Sequence, residues 1–125
     1  MTKKKLFIVD DDASVCRALR ILLNTFDFEV ETFNSAQSFF DAVPNDVPGC
    51  LLLDINMPEM DGWAMQKRMM ESGSGRMVIF ISAEKSDTAS ERALKVGAVG
   101  FLQKPVNGQT LVDLINSVSD DMCVV

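Results

Sequence analysis

The chain has 125 residues, of which 47% are hydrophobic and 24% charged, with a net charge of −6 and no histidine. That length suits one domain with a full core, and the acidic balance argues against direct nucleic-acid binding, because phosphate backbones attract basic surfaces. Without histidine, Ser-His and Cys-His nucleophile pairs are excluded, and any chemistry falls to carboxylates, hydroxyls and lysine.

In chain order, Lys3 to Lys5 read as a solvated flank guarding a buried strand, Leu6 to Val9. This apolar run is too short for a signal peptide, and every other run is strand-sized, so no membrane span is expected. Ala13 to Phe26 reads as a helix with Val15, Leu19, Leu22, Leu23 and Phe26 on one face. Phe28 to Phe33 alternates apolar residues with acids, the pattern of a strand near a sheet edge. Ser35 to Val43 is a short helix capped by Asn34 or Ser35, and Leu51 to Leu53 is a strand buried on both faces. Trp63 to Glu71 is a helix ended by Ser72-Gly73-Ser74-Gly75, Met77 to Ile81 a strand, and Thr88 to Val96 a helix stopped by Gly97. Val99 to Leu102 and Gln109 to Val118 complete the series, the last helix capped by Asn107. The tail from Ser119 to Val125 is a frayed end or the start of a linker. Cys16, Cys50 and Cys123 are widely spaced and form no C-x-x-C pair. They argue against a disulfide framework or zinc site and fit a reducing, cytoplasmic compartment.

Five strands alternating with five helices predict an α/β domain, a doubly wound parallel sheet with helices on both faces. Ligands of such sheets bind at the carboxyl ends of the strands. There the sequence delivers Asp10, Asp11 and Asp12, then Asp54, then Ser82, then Lys104-Pro105. Each alone has an ordinary explanation as a cap, a turn residue or a solvated stem; four distant segments converging on one rim do not. Like charges about 4 Å apart in a partly buried site repel by about 4 kcal/mol, so the acids need a cation. Carboxylate oxygens without histidine or thiolate point to Mg2+ or Mn2+. Such an ion with a lysine and a hydroxyl around one further carboxylate suits phosphoryl transfer onto that carboxylate. Asp54 reads as the acceptor, because it stands alone on a central strand while Asp10 and Asp11 sit side by side as ligands.

Four stretches carry a resemblance: Phe7-Ile-Val-Asp-Asp-Asp12, Leu53-Asp-Ile-Asn-Met-Pro-Glu-Met-Asp-Gly62, Ile81-Ser-Ala83 and Gly97-Ala-Val-Gly-Phe-Leu-Gln-Lys-Pro105. In this order and spacing the chain resembles the response regulator receiver domain of two-component signalling, as one domain over residues 1–125. The resemblance implies a flavodoxin-like (βα)5 sheet of order 2-1-3-4-5, an order known for chemotaxis receivers. It implies that Asp54 takes phosphate from the phosphohistidine of a sensor histidine kinase. Asp10, Asp11, Asp54 and the backbone carbonyl of Asn56 would hold Mg2+. Ser82 and Lys104 would bind the phosphoryl group, the Lys104-Pro105 bond would be cis, and Phe101 would turn inward as Ser82 moves. Ser82 stands where threonine is commoner, and Phe101 lacks the hydroxyl of the tyrosine form. Asp12 reads as a helix cap or surface charge. Asn56 and Glu84 match positions that tune loss of the phosphate, and imply a phosphorylated state lasting minutes. The fourth helix, fifth strand and fifth helix would form the switching face, with a possible homodimer on activation. Ser35-Ala-Gln-Ser-Phe-Phe40 and Gly49-Cys-Leu-Leu-Leu-Asp54 look most like receivers joined to a C-terminal helix-turn-helix regulator; no such domain is in these 125 residues, so a stand-alone receiver and the receiver part of a longer regulator both stand. The five methionines from Met57 to Met70 are expected mainly to pack rather than to form an adaptable surface.

Such a protein is no enzyme beyond its own phosphorylation and dephosphorylation. The rival is a haloacid-dehalogenase-type phosphatase, with Asp10 as nucleophile and Asp12 as acid/base in a D-x-D pair. A flavodoxin electron carrier is disfavoured, since three aspartates would repel a flavin phosphate, and a receiver that docks without phosphorylation ignores the complete set of groups.

Overall fold

The computed structural model describes residues 4–83 and 87–118. Strands β1 (Lys4–Val9), β2 (Phe28–Phe33), β3 (Cys50–Asp54), β4 (Met77–Ser82) and β5 (Gly100–Gln103) alternate with helices. These are α1 (Ala13–Asn24), α2 (Ala36–Ala42), α3 (Gly62–Glu71), α4 (Asp87–Lys95) and α5 (Gly108–Val118). All four strand pairings are parallel, and the order is β2-β1-β3-β4-β5. This is the flavodoxin-like doubly wound topology, with the order reversing between β1 and β3. No helix among the described residues is long and apolar enough to cross a membrane.

Side chains alternate across a strand, so each central strand feeds two cores. Leu6, Ile8, Leu52 and Ile79 pack with Leu19 and Leu23 of α1 and Leu111 and Ile115 of α5. Phe7, Val9, Leu51, Leu53 and Phe80 face the other way, onto Phe39, Met65, Met69 and Ala93 of α2, α3 and α4. The unbroken Leu51-Leu52-Leu53 run is thus split between layers, and all three residues are fully buried. Met57, Met65 and Met69 pack as expected, while Met70 is exposed.

The helix ends follow local chemistry. Between the two possible caps of α2 it is Ser35 that accepts the Ser38 N–H, at 3.1 Å. Asn107 accepts the Thr110 N–H at 3.0 Å and caps α5. The first helix stops at Asn24 rather than Phe26, because the Thr25 amide bonds back to the Leu22 and Leu23 carbonyls and Asp27 takes a φ of 67°. Phe26 still packs on the core. Leu22 is more exposed than its helical stripe predicts; it leans on α5, where a Cβ on Gly108 would lie 2.7 Å from its Cδ2.

Two cations close the end of the sheet remote from the acids. Lys5 is part of β1, not a solvated flank. Its ammonium lies 3.1 Å from Glu31 and 3.6 Å from Glu29, with its side chain only 13% exposed. It thereby neutralises the acids that alternate outward along edge strand β2. Arg76 donates from Nε to the Val47 carbonyl at 2.8 Å and from Nη2 to that of Pro44, with its guanidinium over the rings of Phe7 and Phe39. Arg76→Ala would strand both carbonyls and uncover both rings. The expected cost is about 2–3 kcal/mol, read as a lower urea midpoint with an unchanged slope.

Candidate functional site

The site begins with strand register. Val9 pairs with Leu53, so the residues that follow, Asp10 and Asp54, leave adjacent central strands side by side. Asp10 is fully buried and Asp54 is 3% exposed. Lys104 follows β5, and its ammonium reaches both, 2.7 Å from Asp10 Oδ2 and 3.4 Å from Asp54 Oδ1. Among the described residues, Asp10 Oδ2 has no hydrogen-bond partner beside that ammonium.

Backbone and thiol donors fix the rest of the rim. The Asp10 N–H bonds to the Phe33 carbonyl at 3.0 Å, and Asp10 Oδ1 accepts the Asp12 N–H at 2.9 Å. Cys16 donates its S–H to the Asp10 carbonyl at 3.4 Å. Burial, then the Asp10 charge, pushes that thiol up to about 11, so it stays protonated and inert at neutral pH. Asp12 is the N-cap of α1, accepting from the Ser14 and Val15 amides. A carboxylate held as a helix cap is badly placed as the acid/base of a D-x-D phosphatase.

Beyond β3 the chain turns sharply beneath the acid. The Ile55 N–H donates to the Ile81 carbonyl at 3.0 Å, and the Gly62 N–H returns to the Ile55 carbonyl at 2.9 Å. A Cβ on Gly62 would sit 2.6 Å from the Asp54 carbonyl oxygen, so only glycine fits. Asp61, accepting the Ala64 N–H at 2.9 Å, caps α3 and starts it there. Sequence reasoning quoted Asp61-Gly62 but gave neither a role; an N-cap residue directly before a helical run was the available signal. Cys16 left no signal, because its part is set by the packing of α1 beside Asp10.

Ser82 ends β4, is 3% exposed, and its carbonyl accepts the Lys104 N–H at 2.8 Å. The Lys104-Pro105 peptide bond is cis. Asn56 is exposed, and its N–H points to Asp54 Oδ1 at 3.4 Å. Phe101, half-buried on β5, pairs with Phe80 and packs on the layer of α2, α3 and α4. Glu84 lies outside the described residues.

Asp10, Asp11 and Asp54 each offer a carboxylate oxygen within 4.8 Å of the others. That is near the ~4 Å between opposite oxygens around Mg2+, so the donor set fits a hard divalent cation. The acids strain one another without one. Burial, then the Asp10 charge, raises Asp54 from an ordinary 3.8 to about 6, although Lys104 pulls it back. Burial would lower Lys104, but hydrogen bonding and charge from Asp10 and Asp54 outweigh it and leave its pKa raised.

A doubly wound sheet whose rim gathers an acid triad, a buried hydroxyl and a lysine whose bond to the following proline is cis defines a class of α/β proteins with a charged site at the carboxyl ends of the strands. The comparisons narrow the class. Residues 6–116 match the model of the response regulator receiver domain. The transcriptional regulatory protein TdiR of Thauera aromatica is 40% identical over 112 residues, covering 90% of this chain and 49% of that protein. A solved structure of the response regulator StyR is 41% identical with a TM-score of 0.83, over 92% of this chain and 58% of the other. The crystal structure of FixJ-N aligns with the same TM-score, 0.83, at 28% identity over 93% of both chains. The chain therefore belongs to the response regulator receiver domain family. It spans about half the length of TdiR.

The raised pKa of Asp54 has a measurable sign. A folded-state value near 6, above the ordinary 3.8, means that the protonated acid favours folding below about 4 and that this contribution is lost as pH rises through 6. Without divalent metal, Asp54→Asn is expected to be more stable than the wild type at pH ~7.5 by about 1–3 kcal/mol. The gap should close as the pH is lowered toward 4, followed by denaturant melts in a chelator.

Proposed function

We propose that Asp54 accepts a phosphoryl group from the phosphohistidine of a sensor histidine kinase and that this chain is the receiver unit of a two-component regulator. The observation that carries the reading is the single ammonium of Lys104 lying against both Asp10 and Asp54. That arrangement leaves an acceptor carboxylate with a cation already in place for a phosphoryl oxygen.

Mg2+ (or Mn2+) would be held by Asp10, Asp11, Asp54 and the backbone carbonyl of Asn56. When bound, it supplies positive charge beside the transferring oxygens. The protein's own groups do the rest. Asp54 lends a carboxylate oxygen as the P–O bond forms and the P–N bond of the donor breaks, with the electron pair leaving on the imidazole. Lys104 and the Ser82 hydroxyl would stabilise the phosphoryl oxygens, and the bonded pair Ser82 O and Lys104 N–H keeps the two side chains on one rigid seam. The tight turn from Ile55 to Gly62 holds Asp54 in place, so little reorganisation accompanies transfer.

The added charge, about −1.5 to −2, would draw Ser82 inward, and Phe101 would follow toward the space it vacates. The face of α4, β5 and α5 is the surface we assign to a homodimer or partner. Asn56 and Glu84 would tune water attack, so that the protein removes its own phosphate within minutes. Residues 1–125 then form one receiver domain, acting either alone or as the input to a helix-turn-helix regulator. The chain is not expected to turn over other substrates, to bind nucleic acid directly or to leave the cytoplasm.

Intact-mass analysis with acetyl phosphate and Mg2+ tests the reading. The wild type should gain one phosphoryl group, lose it within minutes after donor removal, and gain none without the metal. Asp54→Asn should stay unmodified, and Lys104→Met should be labelled about 10- to 1,000-fold more slowly. Labelling of Asp54→Asn at the wild-type rate would sink the assignment.

A further inference from the structure

Two contacts tie α4 to α3, one helical turn apart. The indole of Trp63 lies against the ring of Phe80, centroids 4.5 Å apart, and the Arg92 guanidinium sits 4.4 Å from the indole. Further along, Gln66 Nε2 donates to the Val96 carbonyl at 3.3 Å. Trp63 and Gln66 are three residues apart on α3, and Arg92 and Val96 four apart on the other side, so both contacts fall on facing stripes. Val96 directly follows the last residue of α4, where carbonyls lack partners within the helix. Gln66 therefore caps α4 from a neighbouring helix.

Two observations make these contacts more than surface detail. Gln66 is 5% exposed, and its Oε1 has no hydrogen-bond partner among the described residues. An apolar residue of the same shape would avoid that unmet acceptor, so the amide is tied to its donor role. Helix α4 also buries only Ala93. Little apolar area holds it, and such elements open most readily.

We propose that Trp63, Gln66 and Arg92 are positioning residues that latch α4 in its resting place and so set how readily Asp54 is phosphorylated. This rests on the reading of Asp54 as the acceptor. Phe80, beneath the indole, is two residues before Ser82 and on the same face of β4, while its pairing partner on β5 is Phe101. The segment after Ser82 leads into α4. An axial shift of α4 takes Arg92 off the indole and Val96 off Gln66 together, so the latch has two states rather than a continuum. The latched state restrains the segment that carries Ser82; release lets the hydroxyl meet the incoming phosphoryl group.

The test uses the full chain, with Arg92→Met and Arg92→Lys as the main pair because Arg92 is exposed and its loss spares the core. Gln66→Leu probes the second contact. Hydrogen exchange without Mg2+ or phosphodonor should show α4 amides exchanging about threefold to tenfold faster in Arg92→Met, with α1 and α5 unchanged and lysine restoring most of the protection. The acetyl phosphate labelling rate should rise several-fold in Arg92→Met and Gln66→Leu and return toward wild type in Arg92→Lys. Unchanged α4 exchange in Arg92→Met, equal acceleration across all helices, or a loosened α4 with an unchanged labelling rate would each overturn the proposal. A wild type that takes no label would instead defeat the acceptor reading, which the exchange measurement does not depend on.

Discussion

Everything at the rim follows from two carboxylates forced together where they would rather not be. The pairing of β1 with β3 leaves Asp10 and Asp54 at neighbouring strand ends, nearly sealed from water, so neither can relieve the other's charge by solvation. The Lys104 ammonium holds the arrangement together. A site of this kind is stable enough to persist yet under electrostatic tension, and anything that brings positive charge relieves it. The two acids are not held alike: Asp10 is fixed at its amide, at its carbonyl and through both carboxylate oxygens, while the Lys104 and Asn56 contacts to Asp54 both fall on Oδ1, at 3.4 Å.

Beyond Lys104, that tension is contained by backbone rather than by long side chains. Asp12 and Asp61 start helices on either side of the rim, and Gly62 passes within contact of the Asp54 carbonyl where no other residue fits. Because peptide groups and short caps do the holding, the acids sit on rigid elements, the arrangement that favours precise charge placement.

Much of this was legible before any coordinates. Apolar period and caps located every element, because strands buried on both faces leave unbroken runs and helix starts carry Ser, Asp or Asn. The convergence of Asp10, Asp54, Ser82 and Lys104 followed from topology, since parallel strands send all their carboxyl ends to one rim. What escaped depended on contacts between elements. Lys5 looked like a solvated flank because its partners, Glu29 and Glu31, come from the next strand. Leu22 was placed on the core stripe, but its neighbour is a glycine of the last helix. The packing of Trp63 between Phe80 and Arg92 joins three elements, and no local pattern announces it.

The two core layers also differ in material. On the side of α1 and α5 the buried residues are mostly Leu, Ile and Val, whose branched side chains lock into few rotamers. Across the sheet the packing relies on Phe7, Phe39, Phe80, Met65 and Met69, with unbranched thioethers that adjust to changes in shape. That composition points to a lopsided response to load, with the aliphatic flank as the stiffer backing and the Phe- and Met-rich flank the more accommodating.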